Sequence, residues 1–195
     1  MREKTVSGIR VKFELFGNIE LARLYIWEGN RSEIKNSEEA FISNPEIRKA
    51  VKKYKEKRSA DLGESFGNIG CSVSRDGKIM SWREYYPFVK YSAGKYFGGK
   101  GIAEMAEYFL MRRIEKKYPQ IEKIKHNVER FDRGKQLLKR KTKFRALFGI
   151  STSFKEEMEK LMKKIASNRK KAREKRATPA KPRRRWGLGL KRKPK

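Results

Sequence analysis

Apolar residues fall on alternate positions through GIRVKFELFGNIELARLYIWEG (Gly8–Gly29): Val11, Phe13 and Leu15, then Ile19, Leu21 and, less regularly, Leu24 and Ile26. A period of two is that of a half-buried strand. Gly17-Asn18 lies between the two runs, as a tight hairpin turn requires. The segment reads as two strands, or as one strand followed by a short helix from Ile19. The period changes in NSEEAFISNPEIRKAVKKYKEKRSA (Asn36–Ala60), which reads as one or two helices. Asn44 suits an N-cap and Pro45 the first helical position, and Ile47, Val51 and Tyr54 then share one face. Alternation returns in Gly67–Ser92. There Ile69, Cys71 and Val73 lead to an Asp76-Gly77 turn, and Ile79, Ser81, Trp82, Tyr85, Tyr86 and Phe88 follow it. Pro87 breaks or bulges the return strand, or places it at an edge.

A glycine cluster comes next, then a helix from about Ile102 to Lys117 with Ile102, Met105, Ala106, Phe109, Leu110 and Ile114 as its apolar stripe. A short strand is expected around Ile121–His126, a basic helix anchored by Leu137 and Leu138, and a last strand in Phe144–Ile150. Ser153 and Glu156 form a capping box that opens a helix with Phe154, Met158, Leu161, Met162 and Ile165 on one face. Beyond Ser167 that face vanishes and charge alone remains. From Thr178 the chain is Pro-rich, basic and expected to be disordered when alone. The resulting organisation is a body over 1–150, a basic amphipathic helix over 151–177 and a polybasic tail over 178–195. The fold class is α/β (α+β), a mixed central sheet flanked by helices.

Charge sharpens this division. The 195 residues hold 52 Lys and Arg against 23 Asp and Glu, a formal net charge of +29. Lys160–Lys195 carries 17 of those bases and one acid, Glu174, so fewer than a fifth of the residues carry +16 of the excess. An imbalance of this size calls for a polyanionic partner, nucleic acid before an anionic membrane or an acidic protein. In the extension, Arg169, Lys170, Lys171 and Arg173, and then Arg183, Arg184, Arg185, Lys191, Arg192 and Lys193, are the expected phosphate contacts. Trp186 could stack on an exposed base. The tail's composition resembles the basic arms that thread structured RNA in ribosomal proteins, which favours RNA over DNA. Only Trp186, Leu188 and Leu190 would anchor the arm in a lipid surface, so no membrane partner is expected.

One cysteine, Cys71, and one histidine, His126, exclude an internal disulfide and a four-ligand Cys/His zinc site. No metal is expected. His126 reads as an ordinary polar residue at a strand end. No apolar run approaches a membrane span, and MREKTVSGIR lacks the apolar centre of a signal peptide, so a cytoplasmic location is expected.

The stretch from GNIGCSVSRDGKIMSWREYYPF through KYFGGKGIAEMAEYFLMRRIEKKYPQIEKIKHN resembles the GNAT superfamily of acetyltransferases. The likeness runs from roughly Val11 to Ile150 and is most specific from Gly67 to Phe144. In that superfamily a strand leads into a loop of pattern Arg/Gln-x-x-Gly-x-Gly/Ala, whose amides face the pyrophosphate of acetyl-coenzyme A. Here the matching residues are Gly98, Gly99, Lys100, Gly101, Ile102 and Ala103. A helix N-terminus offers free N–H groups, and glycine lets the backbone approach an anion. The resemblance therefore implies acetyl-CoA held by Gly99, Lys100, Gly101, Ile102 and Ala103, and acetyl transfer to an amine acceptor. Lys141 and Phe144 stand at positions of a second half-signature. Three positions depart from the pattern: Gly98 replaces the Arg or Gln, Lys139 replaces a tyrosine near the leaving thiolate, and Lys143 replaces a glycine. Glu84 is the one acid between Ile79 and Lys100, but nothing marks it as a base, and no catalytic residue is assigned.

Two functions of different class follow. One is a GNAT-like N-acetyltransferase brought to nucleic acid by its tail. The other is a non-catalytic GNAT-like protein that binds RNA or the ribosome. A DNA-binding accessory protein of a virus or plasmid is a further alternative, though no helix-turn-helix or zinc-finger spacing supports a sequence-specific reader.

Overall fold

The computed structural model describes residues 5–30, 33, 39–57, 63–86, 88, 91–125 and 151–177. Its elements are β1 (Thr5–Phe16), β2 (Ile19–Asn30), β3 (Glu39–Ile42), α1 (Pro45–Lys57), β4 (Gly67–Val73), β5 (Ile79–Tyr86), α2 (Tyr91–Phe97), α3 (Ile102–Lys117), β6 (Lys123–Lys125), β7 (Ser151–Ser153) and α4 (Phe154–Ala177). The seven strands form one mixed sheet in the order β3-β1-β2-β4-β5-β6-β7. All neighbours are antiparallel except β5 and β6, which run parallel through Ile79↔Lys123, Met80↔Ile124 and Ser81↔Lys125. Parallel neighbours need a long crossover, and here α2 and α3 supply it.

Both expected hairpins form. Gly17 adopts φ 60° in the β1–β2 turn and Gly77 φ 71° in the β4–β5 turn, the left-handed region that glycine enters at little cost. Register then sorts the side chains. Ile9, Val11 and Phe13 in β1 stand beside Ile26, Leu24 and Ala22 in β2, and Ala22 stands beside Ile69 in β4. Cys71 and Val73 continue this face to Trp82 and Met80 in β5, and Met80 to Ile124 in β6. The core is built on this face, where Ile47, Val51 and Tyr54 of α1 and Ala106, Leu110 and Ile114 of α3 pack onto it. Between Gly70 and Cys71 the β4–β5 register shifts, leaving Arg83 as the extra residue of a bulge. The Arg83 Nε donates to Ser72 Oγ at 2.8 Å.

Three segments differ from expectation; the shortest is Ser151–Ser153, read within the last helix, which forms strand β7 against β6. Residues 39–42, read within a helical stretch, form the edge strand β3. Gly8 makes this geometry available, since a Cβ there would stand 2.6 Å from both the Ile42 carbonyl oxygen and the Phe41 ring. Arg10 fixes the pairing by donating to both Glu39 carboxylate oxygens, at 2.7 and 2.6 Å. The helix proper starts where expected, with Asn44 Oδ1 accepting the Ile47 N–H at 2.8 Å. A further difference is α2, where the strand reading ran to Ser92. Phe97 from α2 is fully buried against Tyr54 (centroids 5.5 Å apart) and Phe66 (5.2 Å). Burying such a ring contributes roughly 2 kcal/mol, comparable to what local propensity decides over seven residues.

The capping box opens α4 in a loose form, with the Glu156 N–H 3.5 Å from Ser153 Oγ. Phe154, Met158, Leu161 and Ile165 are buried in the same core as the sheet, whereas Met162, expected on that stripe, is 52 % exposed. The expected basic helix around Leu137 and Leu138, the strand over 144–150, and His126, Lys139, Lys141, Lys143 and Phe144 lie outside the described residues, as does the tail from Thr178. Among the described residues no helix is long and apolar enough to cross a membrane.

Candidate functional site

The glycine cluster lies between two helices. Gly98 closes α2, its N–H bonded to the Gly94 carbonyl at 2.9 Å. Gly99 and Gly101 adopt φ 70° and 73°, and Gly101 is the N-cap of α3 with no side-chain cap. The first N–H groups of a helix have no partner within it, so the entry to α3 presents donors and partial positive charge. A Cβ at Gly99 would meet nothing within 4 Å, so the loop backbone there is open to a ligand's approach.

Helix α4 brings the rest. It runs back along α3, tied by a Lys164–Glu104 ion pair at 3.0 Å and by Arg169 against the Met105 sulfur at 3.9 Å. Its basic second half then passes the loop, and Asn168 Nδ2 would lie 3.6 Å from a Cβ on Gly101. A cavity of about 490 Å³ opens there, walled by Phe41–Asn44 and Glu46 on one side, Gly99, Lys100 and Gly101 on another, and Asn168, Arg169, Lys171 and Arg173 on a third. The N-terminal turn of α1 thus faces the same space as the start of α3.

Of the five residues expected around a coenzyme, Gly99, Lys100 and Gly101 line this cavity. Ile102 and Ala103 do not, and Ile102 is buried in the core. Of the cations expected to meet nucleic acid, Arg169, Lys171 and Arg173 line it, and Lys170 lines an adjoining groove. Arg183, Arg184, Arg185, Trp186, Lys191, Arg192 and Lys193 lie outside the described residues. Two sites read separately from the sequence therefore meet in one place. The walls from β3 and α1 were not foreseen, because nothing local links Phe41–Glu46 to residues 60 positions and more downstream.

The electrostatics favour an anion. Lys100, Arg169, Lys171 and Arg173 face one acid, Glu46, and among the described residues none of the four cations is in an ion pair. Cations held together without counter-charges repel one another, a cost that a bound polyanion removes. The open loop backbone and these cations also suit the pyrophosphate of acetyl-CoA. Among the described residues no group of His, Cys, Asp or Glu is placed to hold a metal ion. Cys71 is buried under the sheet's core face; desolvation, and then the nearby Glu20 carboxylate, push its thiol far above the ordinary range. It is therefore not a nucleophile at neutral pH.

Comparison with protein-family models, with curated proteins and with solved structures finds no significant match to this chain.

Proposed function

We propose that this protein binds nucleic acid, RNA in preference to DNA, and receives the phosphate backbone in the cavity between the glycine loop and α4. One observation carries the reading: loop and helix cations line the same cavity, and among the described residues none of them is in an ion pair. The excess of basic residues continues past this point into a tail of net charge far beyond what one small ligand needs. That tail's resemblance to RNA-threading arms supports RNA.

The test is fluorescence anisotropy with an RNA oligonucleotide across a salt series. Four phosphates neutralised on a single strand correspond to a slope of log affinity on log salt of about −3. Reversing two charges in Lys171→Glu/Arg173→Glu should make the slope shallower by about 1.4, the share of two phosphates, on top of whatever the tail contributes. An affinity that ignores salt, or a slope unchanged in the double variant, rules the cavity out as the phosphate site.

A second reading is the GNAT-like N-acetyltransferase. The parallel β5–β6 pair bridged by α3, with two left-handed glycines at its entrance, supports it. Gly99, Lys100 and Gly101 would then hold the pyrophosphate, and acetyl-CoA would supply an activated acyl group for an amine. The helix α2 stands against it, because the loop does not follow directly from a strand. Absence of both heat and thermal shift with millimolar coenzyme A removes this reading and leaves the first intact.

A further inference from the structure

The basic cavity does not end at Arg169. Met105, Ile165, Arg169 and Arg173 also line a second space, a groove of about 720 Å³ between α3 and α4. Its character is different. Tyr108 and Phe109 stand on the α3 side, half-buried, with ring centroids 5.9 Å apart and planes tilted by 55°. Met162 stands on the α4 side at 52 % exposure. Among the described residues, the other large apolar side chains that are comparably exposed, Leu15 and Phe16, lie at the β1–β2 turn. An exposed methionine opposite two aromatic rings, within reach of arginines, forms an apolar slot beside the basic cavity.

Continuity and charge together decide the occupant. A ligand that spans both spaces must be anionic at one end and flat and weakly polar at the other, with the two linked at short range. A single-stranded polynucleotide has that alternation in every residue, and aromatic platforms beside cations are how unpaired bases are held. A duplex offers the phosphates but hides the base faces. We infer that the α3–α4 groove receives an unstacked base, with Tyr108, Phe109 and Met162 as its walls, so that the protein selects single strands over duplexes. The inference rests on the nucleic-acid reading above and adds a specificity to it. Arg169 and Arg173, one helical turn apart and shared by both spaces, sit where phosphate and base contacts meet.

The experiment compares two RNA probes of equal phosphate number, one unstructured and carrying 2-aminopurine, the other a hairpin duplex. Binding to the full chain is read at low salt. The expected result is an affinity for the unstructured probe tighter by roughly tenfold or more, with quenched 2-aminopurine fluorescence. Tyr108→Leu should abolish most of the preference and the quenching but leave duplex affinity unchanged, and Tyr108→Phe should retain both. Met162→Ala, at an exposed position, gives the same reading should Tyr108→Leu loosen the helix packing. Equal affinity for the two probes with unquenched fluorescence overturns the base slot while leaving phosphate binding standing. A preference that survives both Tyr108→Leu and Met162→Ala overturns it as well. If neither probe binds at low salt, the nucleic-acid reading falls and takes this inference with it.

Discussion

At the scale of the residue, Glu20 is the side chain with most at stake. It is 3 % exposed on β2, hydrogen-bonded to Lys117 and 3.8 Å from Arg113 Nε, both on α3. A carboxylate so buried is tolerable because two cations face it. Its removal leaves Arg113, whose Nε is buried without a hydrogen-bond partner, with no other counter-charge among the described residues. Glu20→Ala should destabilise the protein by about 2 kcal/mol, less than a fully enclosed pair would cost because Lys117 is 44 % exposed. The hydrogen bond to Glu20 raises the Lys117 pKa, outweighing the desolvation that lowers it. A raised folded-state pKa gives stability that is whole below the unfolded value, about 10.4, and fades as pH climbs through the folded one. Urea midpoints followed from pH 8 to 11 should therefore fall in the wild type, and Glu20→Ala should lose that contribution at every pH. An unchanged midpoint in the variant would show the cluster to be energetically silent.

At the scale of the element, the β1–β3 contact is a tight fit. Gly8 leaves room for the Phe41 ring, which meets Trp27 edge-on at 5.4 Å. Gly8→Ala should cost about 1–3 kcal/mol by overpacking. Hydrogen exchange should show the loss first in the amides of residues 39–42. Equal protection in variant and wild type would mean that β3 shifts without cost. This strand also shows why some elements were legible and others were not. Asp76-Gly77, Gly17-Asn18 and Asn44-Pro45 encode their turns and cap in adjacent residues, and α3 and the start of α4 repeat their apolar positions over several turns. Glu39-Ala40-Phe41-Ile42 carries helix formers and no clear period. It becomes a strand because Gly8 and Arg10, some 30 residues away, accept it there. Helix α2 is too short to show a period, and Phe97 is placed by rings from α1 and from Phe66, the residue before β4. The glycine loop was visible in the sequence. Its cavity was not, because its walls come from segments that only the fold brings together.

At the scale of the whole molecule, one helix serves two ends of the protein. The residues of α4 described as buried, Phe154, Met158, Leu161 and Ile165, all precede Ser167, and the cations that line the loop's cavity all follow it. The core holds the first half and thereby orients the second. This makes α4 a phasing device: the angle between its apolar stripe and its basic face is set by residue count alone. Each residue of an α-helix turns the face by about 100°. A single alanine inserted after Ser167 should leave thermal stability close to wild type, since no side chain described as buried moves, yet swing Arg169, Lys171 and Arg173 away from the glycine loop. If the protein binds RNA as proposed, its affinity at low salt should fall roughly tenfold or more. Four inserted alanines, just over one turn, should restore the direction of the cations while displacing them by about 6 Å along the axis. A recovery of binding with four and not with one would mean that the direction of the charge, rather than its amount, is what the loop recognises in its neighbour.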